Sequence, residues 1–346
     1  MRNPASTSPS TATAPSVRSL SSHSASIERA SPWSASDSTS TGCRSRSRRC
    51  ASATSAAAAS RSPRLKGRTV TRATAPPRRL LRREPLPYAL RRCDMDLGLA
   101  GRKAIILGAS RGIGRYTAEA LIDEGANVAI CGRDSERLEQ TRSELAARGD
   151  VTVHAATADL ADSDSTRAFV AGAVDALGGL DILVHNATGQ SGQDAEGWQS
   201  TFDVDVMAAV HAVEAAQPAL EESDAASVIF IGSTASKQWF GRWSSYGPLK
   251  GAMRVLANEL GQALGRKGIR VNALSPGATL MPGGNWDRTR EANPDFYKSV
   301  ERSIPFGRLG SGEEVARAIT FLASPAASWI NATHIIVDGG QGKFVD

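Results

Sequence analysis

The sequence predicts an α/β fold: a doubly wound, parallel sheet of seven strands in a single domain, preceded by a low-complexity extension. Three observations predict it. Short apolar runs alternate with stretches of helical period from Ala104 to Val337, and such alternation demands a parallel sheet covered on both faces through right-handed crossovers. A glycine turn, Gly108-Ala-Ser-Arg-Gly112-Ile-Gly114, separates the first apolar run from the first helical stretch. Finally, Asp159, Asn186, Ser233 and Pro276 each fall just after a strand, where open parallel sheets bind their ligands.

Composition divides the 346 residues in two. Through Met95 the chain is rich in Ser, Ala, Arg and Pro and holds 18 Lys+Arg against 4 Asp+Glu, which leaves 23 of the 41 basic and 31 of the 35 acidic residues to the body. The net +6 therefore combines a basic tail with an acidic body, and no nucleic-acid surface is expected on the body, since basic character matters as a patch and not as a total. Residues 1–94 are expected to be disordered, because so polar a stretch cannot bury enough apolar surface to fold. Met95 is the expected functional start, because Met-Asp-Leu-Gly-Leu-Ala-Gly-Arg-Lys runs straight into the first strand, and an organelle transit peptide is the alternative for the extension. Its arginines leave open a salt-sensitive attraction to nucleic acid or membrane surfaces. Residues 95–346 form the expected domain. No run of about 18 apolar residues suggests a membrane span, and only Cys131 lies in the body, so neither a disulfide framework nor a metal site is expected and a reducing cytoplasm is the default.

The body reads in order as follows. Ala104 to Leu107 is a buried strand, and Arg115 to Glu124 the helix after the glycine turn. Gly108 makes the tight turn, Gly112 lets a phosphate approach the backbone, and Gly114 lets the helix pack on the sheet. The helix start, including Ser110, Arg111 and Ile113, would face a pyrophosphate with free N–H groups and a positive dipole end. Asn127 to Cys131 is the second strand. It ends in Gly132-Arg133-Asp134 and lacks the strand-end acid that holds ribose hydroxyls, whereas Arg133 and Arg111 suit a 2′-phosphate, so NADP(H) is expected over NAD(H). A polar helix spans Ser135 to Ala147 and a third strand Val151 to Ala155, with Asp159-Leu160 beyond it at an adenine position. The fourth strand, Asp181 to His185, runs into Asn186. A long helix extends from Trp198 toward Leu220, and strands follow at Val228 to Ile231, Val271 to Leu274 and Ile335 to Val337.

Tyr246 and Lys250 share a helix face because they lie four residues apart. Pro248, tolerated only in a first turn, places Tyr246 near the helix N-terminus, with Ser244 or Ser245 available as cap. A free tyrosine, near pKa ~10, is a poor proton donor or acceptor at neutral pH, and a cation beside it stabilises the phenolate.

These motifs together resemble the short-chain dehydrogenases/reductases: the glycine turn at 108 to 114, Asn186-Ala187, Ser233, Tyr246-x-x-x-Lys250, Asn272 and Pro276-Gly277, over essentially all of Leu97 to Gly342. Among them the chain is most similar to the 3-oxoacyl-carrier-protein reductase group. The resemblance implies a Rossmann-like fold, hydride exchange between NAD(P)(H) and a carbonyl or secondary alcohol, and possible 3-oxoacyl thioester substrates. It implies that Tyr246 moves the proton, Lys250 assists it and binds the cofactor ribose, and Ser233 holds the substrate oxygen. Gly108, Ser110, Arg111, Gly112, Ile113, Gly114, Arg133, Asp159, Leu160, Asn186, Tyr246, Lys250, Pro276, Gly277 and Thr279 would contact the cofactor. A homotetramer or homodimer, paired through the helices from Trp198 and Tyr246, is also implied.

The departures are informative. The family's Asn-Asn-Ala-Gly stands here as His185-Asn186-Ala187-Thr188, displacing the glycine to Gly189. His185 could carry a proton or simply be satisfied by its neighbours. The family's fourth catalytic residue, an asparagine, corresponds to Asp205, whose charge is expected near Lys250 and Tyr246. Two segments, Lys237 to Trp243 and Thr279 to Ser303, carry glycines and aromatics. They read either as a lid over an apolar substrate or as aromatics packed on the body. A non-catalytic dinucleotide sensor on the same fold is the rival reading, which Asp205 mildly favours.

Overall fold

The computed structural model describes residues 95–344. The extension through residue 94, expected to be disordered, lies outside the described residues. Seven strands form one sheet in the order β3-β2-β1-β4-β5-β6-β9, every pair parallel. They are β1 (Lys103–Leu107), β2 (Asn127–Gly132), β3 (Val153–Thr157), β4 (Ile182–His185), β5 (Ser227–Ile231), β6 (Arg270–Pro276) and β9 (His334–Val337). The two-residue strands β7 (Thr279–Leu280) and β8 (Gly310–Ser311) pair separately. The expected seven-stranded, doubly wound sheet is present. β3 begins two residues later than expected, because Val128 pairs with Val153 and not with Val151.

The period of two along each strand distributes the core. In β1, Ile105 and Leu107 face one layer while Ala104 and Ile106 face the other; in β5, Val228 and Phe230 oppose Ile229 and Ile231. The first layer is closed by α3 (Ser163–Leu177), α5 (Ala208–Glu221) and α6 (Tyr246–Leu264), and the second by α1 (Gly112–Asp123), α2 (Ser135–Ala146) and α9 (Gly312–Ala323). Ala208, Ala209, Ala212 and Ala216 give α5 a small-residue face that seats close to the sheet. Phe230 is fully buried, and Phe230→Ala would cost about 3–5 kcal/mol through the cavity it leaves.

Three local devices aim the chain at the site. Helix α1 starts at Gly112, earlier than the sequence pattern suggested, because the glycine turn itself supplies its first residues. The long helix expected from Trp198 is α4 (Ala195–Thr201), a π-helical turn (Phe202–Met207) and α5 in succession, with Asp194 capping α4 through a bond from the Gly197 N–H. Arg270, at the foot of β6, donates to the Leu322, Ala323 and Ser324 carbonyls at the end of α9. That placement sets a cation at the negative end of the helix dipole, although burial lowers its pKa to about 10. The segment after β7 is helical: α7 (Asn285–Ala292) and α8 (Pro294–Ser303).

Candidate active site

A cavity of about 1650 Å³ opens at the carboxyl edge of the sheet. Gly108, Ser110, Arg111, Gly112, Ile113, Arg133, Asp159, Leu160, Asn186, Ser233, Tyr246, Lys250, Pro276, Gly277 and Thr279 all line it. Gly114 and Asp205 do not. Gly114 packs beneath the turn, where a Cβ would meet the Asn186 amide and the Gly108 carbonyl at 2.6 Å, and Asp205 is fully buried behind Lys250.

The glycine turn is shaped to leave room for a ligand. Gly108 and Gly112 have φ of 75° and 62°, a region L side chains rarely adopt. A Cβ at Gly108 would press on Ala187 at 3.0 Å, whereas one at Gly112 would point into open space. The Asn186 amide donates to the Gly108 carbonyl at 2.8 Å and ties the end of β4 to the turn. At the other wall, Gly277 donates to the Val337 carbonyl, Ala278 to the Gln341 side chain at 2.8 Å, and the Thr279 hydroxyl to the Gly277 carbonyl. These residues fit a nicotinamide dinucleotide: an open glycine cradle at a helix start, with Arg111, Arg133 and Arg137 on the rim beyond β2. Arg137 was not anticipated from the sequence. It lies one helical turn beyond Arg133 on α2, whose cap is Asp134.

Tyr246 opens α6 and Lys250 sits one turn further, its ammonium 5.9 Å from the phenol ring centroid. Gly247 allows this helix start to lie against the turn after β5, because a Cβ there would meet the Ala235 carbonyl at 2.9 Å. Ser233 begins that turn. Its hydroxyl oxygen accepts from the Ala235 N–H at 3.1 Å, which leaves the hydroxyl hydrogen available for the cavity.

Of the two serines available as cap, the structure uses Ser244. Ser245 has helical backbone angles and makes no cap bond, so the side chain that receives the Tyr246 N–H is that of Ser244. The fully buried Ser245 hydroxyl instead donates to the Gly197 carbonyl, pairs with the Thr201 hydroxyl at 2.9 Å and accepts from the Gly192 N–H. Tyr246 is thereby bolted to α4.

Behind Lys250 lies a compact polar cluster. The Lys250 ammonium donates to the Ile231 carbonyl and to the Asp205 carboxylate, both at 2.9 Å. Asp205 also accepts from the Gly189 N–H at 2.8 Å and the Thr188 hydroxyl at 3.1 Å. Gly189 must be glycine, since a Cβ would collide with the Ser200 carbonyl. The charge expected near Lys250 is therefore a direct ion pair in the core. His185 is fully buried: neither ring nitrogen makes a well-formed hydrogen bond among the described residues, although the Val204 and Asp205 backbone lies close enough to favour its charged form. Burial drives its pKa down to about 4, against the pull of Asp205 and with some help from Lys250. Cys131 is likewise buried, and its thiol is pushed up to about 12. Among the described residues no cluster could hold a metal ion.

Comparison with known proteins places this geometry. Residues 108–341 match a family model described as enoyl-(acyl carrier protein) reductase. The chain is 37% identical over 250 residues to the isoepoxydon dehydrogenase of Penicillium expansum, covering 71% of this chain and 96% of that one. It is 34% identical to the rhamnolipids biosynthesis 3-oxoacyl-[acyl-carrier-protein] reductase of Pseudomonas aeruginosa, covering 70% and 96%. Among solved structures, an NADPH-bound short-chain oxidoreductase from Pseudomonas aeruginosa PAO1, described as containing an atypical catalytic center, superposes with a TM-score of 0.67 at 32% identity, over 71% of this chain and 99% of that one. With its parallel seven-stranded sheet, its glycine turn and this match over most of the described residues, the chain belongs to the short-chain dehydrogenase/reductase family.

Proposed function

We propose that the chain is an NADP(H)-dependent oxidoreductase that interconverts a carbonyl and a secondary alcohol. The observation that carries this reading is the placement of Tyr246, Lys250 and Ser233 in one cavity with an open glycine cradle. When bound, the nicotinamide would exchange a hydride with the carbonyl carbon. Tyr246 gives its phenolic proton to the carbonyl oxygen, or removes the alcohol proton in reverse. Ser233 donates a hydrogen bond to that oxygen as its charge develops. Lys250, fixed by the Ile231 carbonyl, sets its charge beside the phenol ring and would hold the cofactor ribose. Gly108, Gly112 and the α1 start would hold the pyrophosphate, Asp159 and Leu160 would border the adenine, and Asn186, Pro276, Gly277 and Thr279 would line the nicotinamide end. Arg133 and Arg111, with Arg137, supply cations for a 2′-phosphate, and the NADPH-bound relative supports that preference. The similarity to a 3-oxoacyl-[acyl-carrier-protein] reductase makes acyl thioesters one substrate class to assay.

We read the exposed Phe202 and Val255, on the helical stretches after Trp198 and Tyr246, as part of a face that pairs two copies. No helix among the described residues is long and apolar enough to cross a membrane. The test of the reading is Tyr246→Phe, followed by nicotinamide absorbance with a panel of ketones and by cofactor titration. Retained cofactor binding with turnover lost supports it, and wild-type rates in the variant exclude Tyr246 as the proton donor.

A further inference from the structure

The mouth of the cavity is walled by aromatic rings. Trp198, Trp239, Phe240, Trp243, Trp286 and Phe296 all line it, including four of the chain's six tryptophans, in a sequence that is only 5% aromatic. They come from three separate places: α4, the segment between Ser233 and Tyr246, and the α7–α8 pair. Trp239, Phe240, Trp243 and Phe296 are each at least half exposed. So much exposed aromatic surface in one patch marks a binding site more than a packing accident.

Two of the rings are already ordered for stacking. Trp286 and Phe296 lie nearly parallel, at 20° and 6.0 Å between centroids, and Trp286 is anchored on the small core formed by Ala278, Tyr297, Ile304 and Leu309. On the other segment, the Trp243 carbonyl accepts from the Gln193 side chain at 3.1 Å, which ties that wall to the loop leading into α4. Neither wall is a free flap: each is attached to a helix that also shapes the site. Flexible chains are usually accommodated by adaptable aliphatic and methionine side chains, whereas rigid aromatic faces reward a flat π-system by offset stacking.

We infer that the substrate presents its carbonyl on or within a flat, conjugated ring, which enters between the aromatic segment of Trp239, Phe240 and Trp243 and the Trp286–Phe296 pair. The inference rests on the carbonyl-reductase reading and narrows its substrate class. The reaction balance is unchanged: one hydride reaches the carbonyl carbon, one proton from Tyr246 reaches the oxygen, and the C=O π-bond becomes an alcohol.

The experiment compares kcat/KM for α-tetralone with that for an open-chain decanone of equal carbon count, beside a 3-oxoacyl thioester and a ketohexose. It does so in the wild type, Trp286→Leu and Trp243→Leu, which keep apolar bulk and remove the aromatic face. α-Tetralone should lead the other three by about tenfold or more, and each variant should shrink its advantage over decanone by about tenfold, or 1.4 kcal/mol. Preference for decanone, the thioester or the hexose, or an advantage unchanged in both variants, overturns the inference. Calorimetric titration with α-naphthol, a flat alcohol that cannot be oxidised to a simple ketone, separates the two levels of the account. If no carbonyl is reduced, the reductase reading fails. Saturable naphthol binding, weakened about tenfold in the leucine variants, still supports a flat-ring site, and its absence rejects one.

Discussion

The Lys250 ammonium lies 2.9 Å from the Asp205 carboxylate, and both side chains are sealed from solvent. The lysine that faces Tyr246 on one side is thus charge-compensated on the other. Two further donors, from Gly189 and Thr188, hold the carboxylate in place. Replacing Asp205 by Asn keeps one acceptor oxygen, enough for the Gly189 N–H, turns the amide NH2 toward the Thr188 hydroxyl, and removes the negative charge. The Lys250 charge facing Tyr246 is then uncompensated, and the ascending limb of kcat/KM for alcohol oxidation should move to lower pH. A limb that stays or moves upward would show that the pair does not act on Tyr246.

The same pair predicts a stability effect of opposite character. Asp205→Ala leaves Lys250 buried with only the Ile231 carbonyl, and breaking a buried pair by deleting one partner typically costs about 3–5 kcal/mol. Urea unfolding would read this directly, and Asp205→Asn, which keeps the side-chain bulk and one acceptor oxygen, should lose less. Equal losses in the two variants would assign the effect to the missing charge alone.

Ser245 is expected to act through Tyr246 without touching substrate. Ser245→Ala removes its bonds to Gly192, Gly197 and Thr201, so α6 can shift against α4. The predicted result is a kcat lowered about tenfold with cofactor affinity unchanged, because small misplacements are costly at the reacting centre. Restoration by Ser245→Thr would indicate that the hydroxyl positions the helix. Loss of cofactor affinity in parallel with kcat would instead mean general disruption.

How much of this was legible in the sequence depended on distance along the chain. The glycine turn, the Tyr246–Lys250 spacing and the seven strands are local patterns, and all are present, with β3 displaced by two residues. The sequence left Ser244 and Ser245 as alternative caps because capping is also local; the partners of Ser245 lie 44 to 53 residues away, and only the fold brings them together. Gln341, 63 residues from the Ala278 N–H it accepts, escaped notice for the same reason. The π-helical turn at Asp205 left no periodic signal, since a single widened turn barely alters the apolar stripe.

His185 supplies a pH prediction. Its folded pKa, about 4, lies below the ordinary value near 6.5, so it stays neutral in the core while the unfolded chain takes up a proton. Folding stability should therefore be fullest above pH ~6.5, fall as pH drops toward about 4, and lose no more to this group below that, a change of at most about 3 kcal/mol. His334, also depressed to about 4 by burial and by Arg254 and Lys237, contributes in the same window. His185→Leu should reduce the slope of stability against pH between these limits without abolishing it. An unchanged slope would mean that His185 is not buried neutral.

Cofactor choice is tested by Arg133→Asp. The substitution replaces a cation on the cavity rim with a carboxylate that repels a 2′-phosphate and accepts from a ribose hydroxyl. The ratio of kcat/KM for NADPH over NADH should fall by at least about tenfold. Arg111 and Arg137 remain, so the switch should be partial. An unchanged ratio removes Arg133 from the site.

The claim on which the whole account depends is hydride exchange with a carbonyl carbon in the Tyr246 cavity. The most direct measurement follows deuterium from a reduced nicotinamide labelled at its transferring carbon into the product alcohol, by mass spectrometry, in the wild type and in Tyr246→Phe. The account predicts one deuterium on the carbinol carbon with wild-type enzyme in ordinary water, none on that carbon when only the water is labelled, and negligible product with Tyr246→Phe. Carbinol deuterium drawn from the water, or undiminished labelled product from the variant, would contradict it.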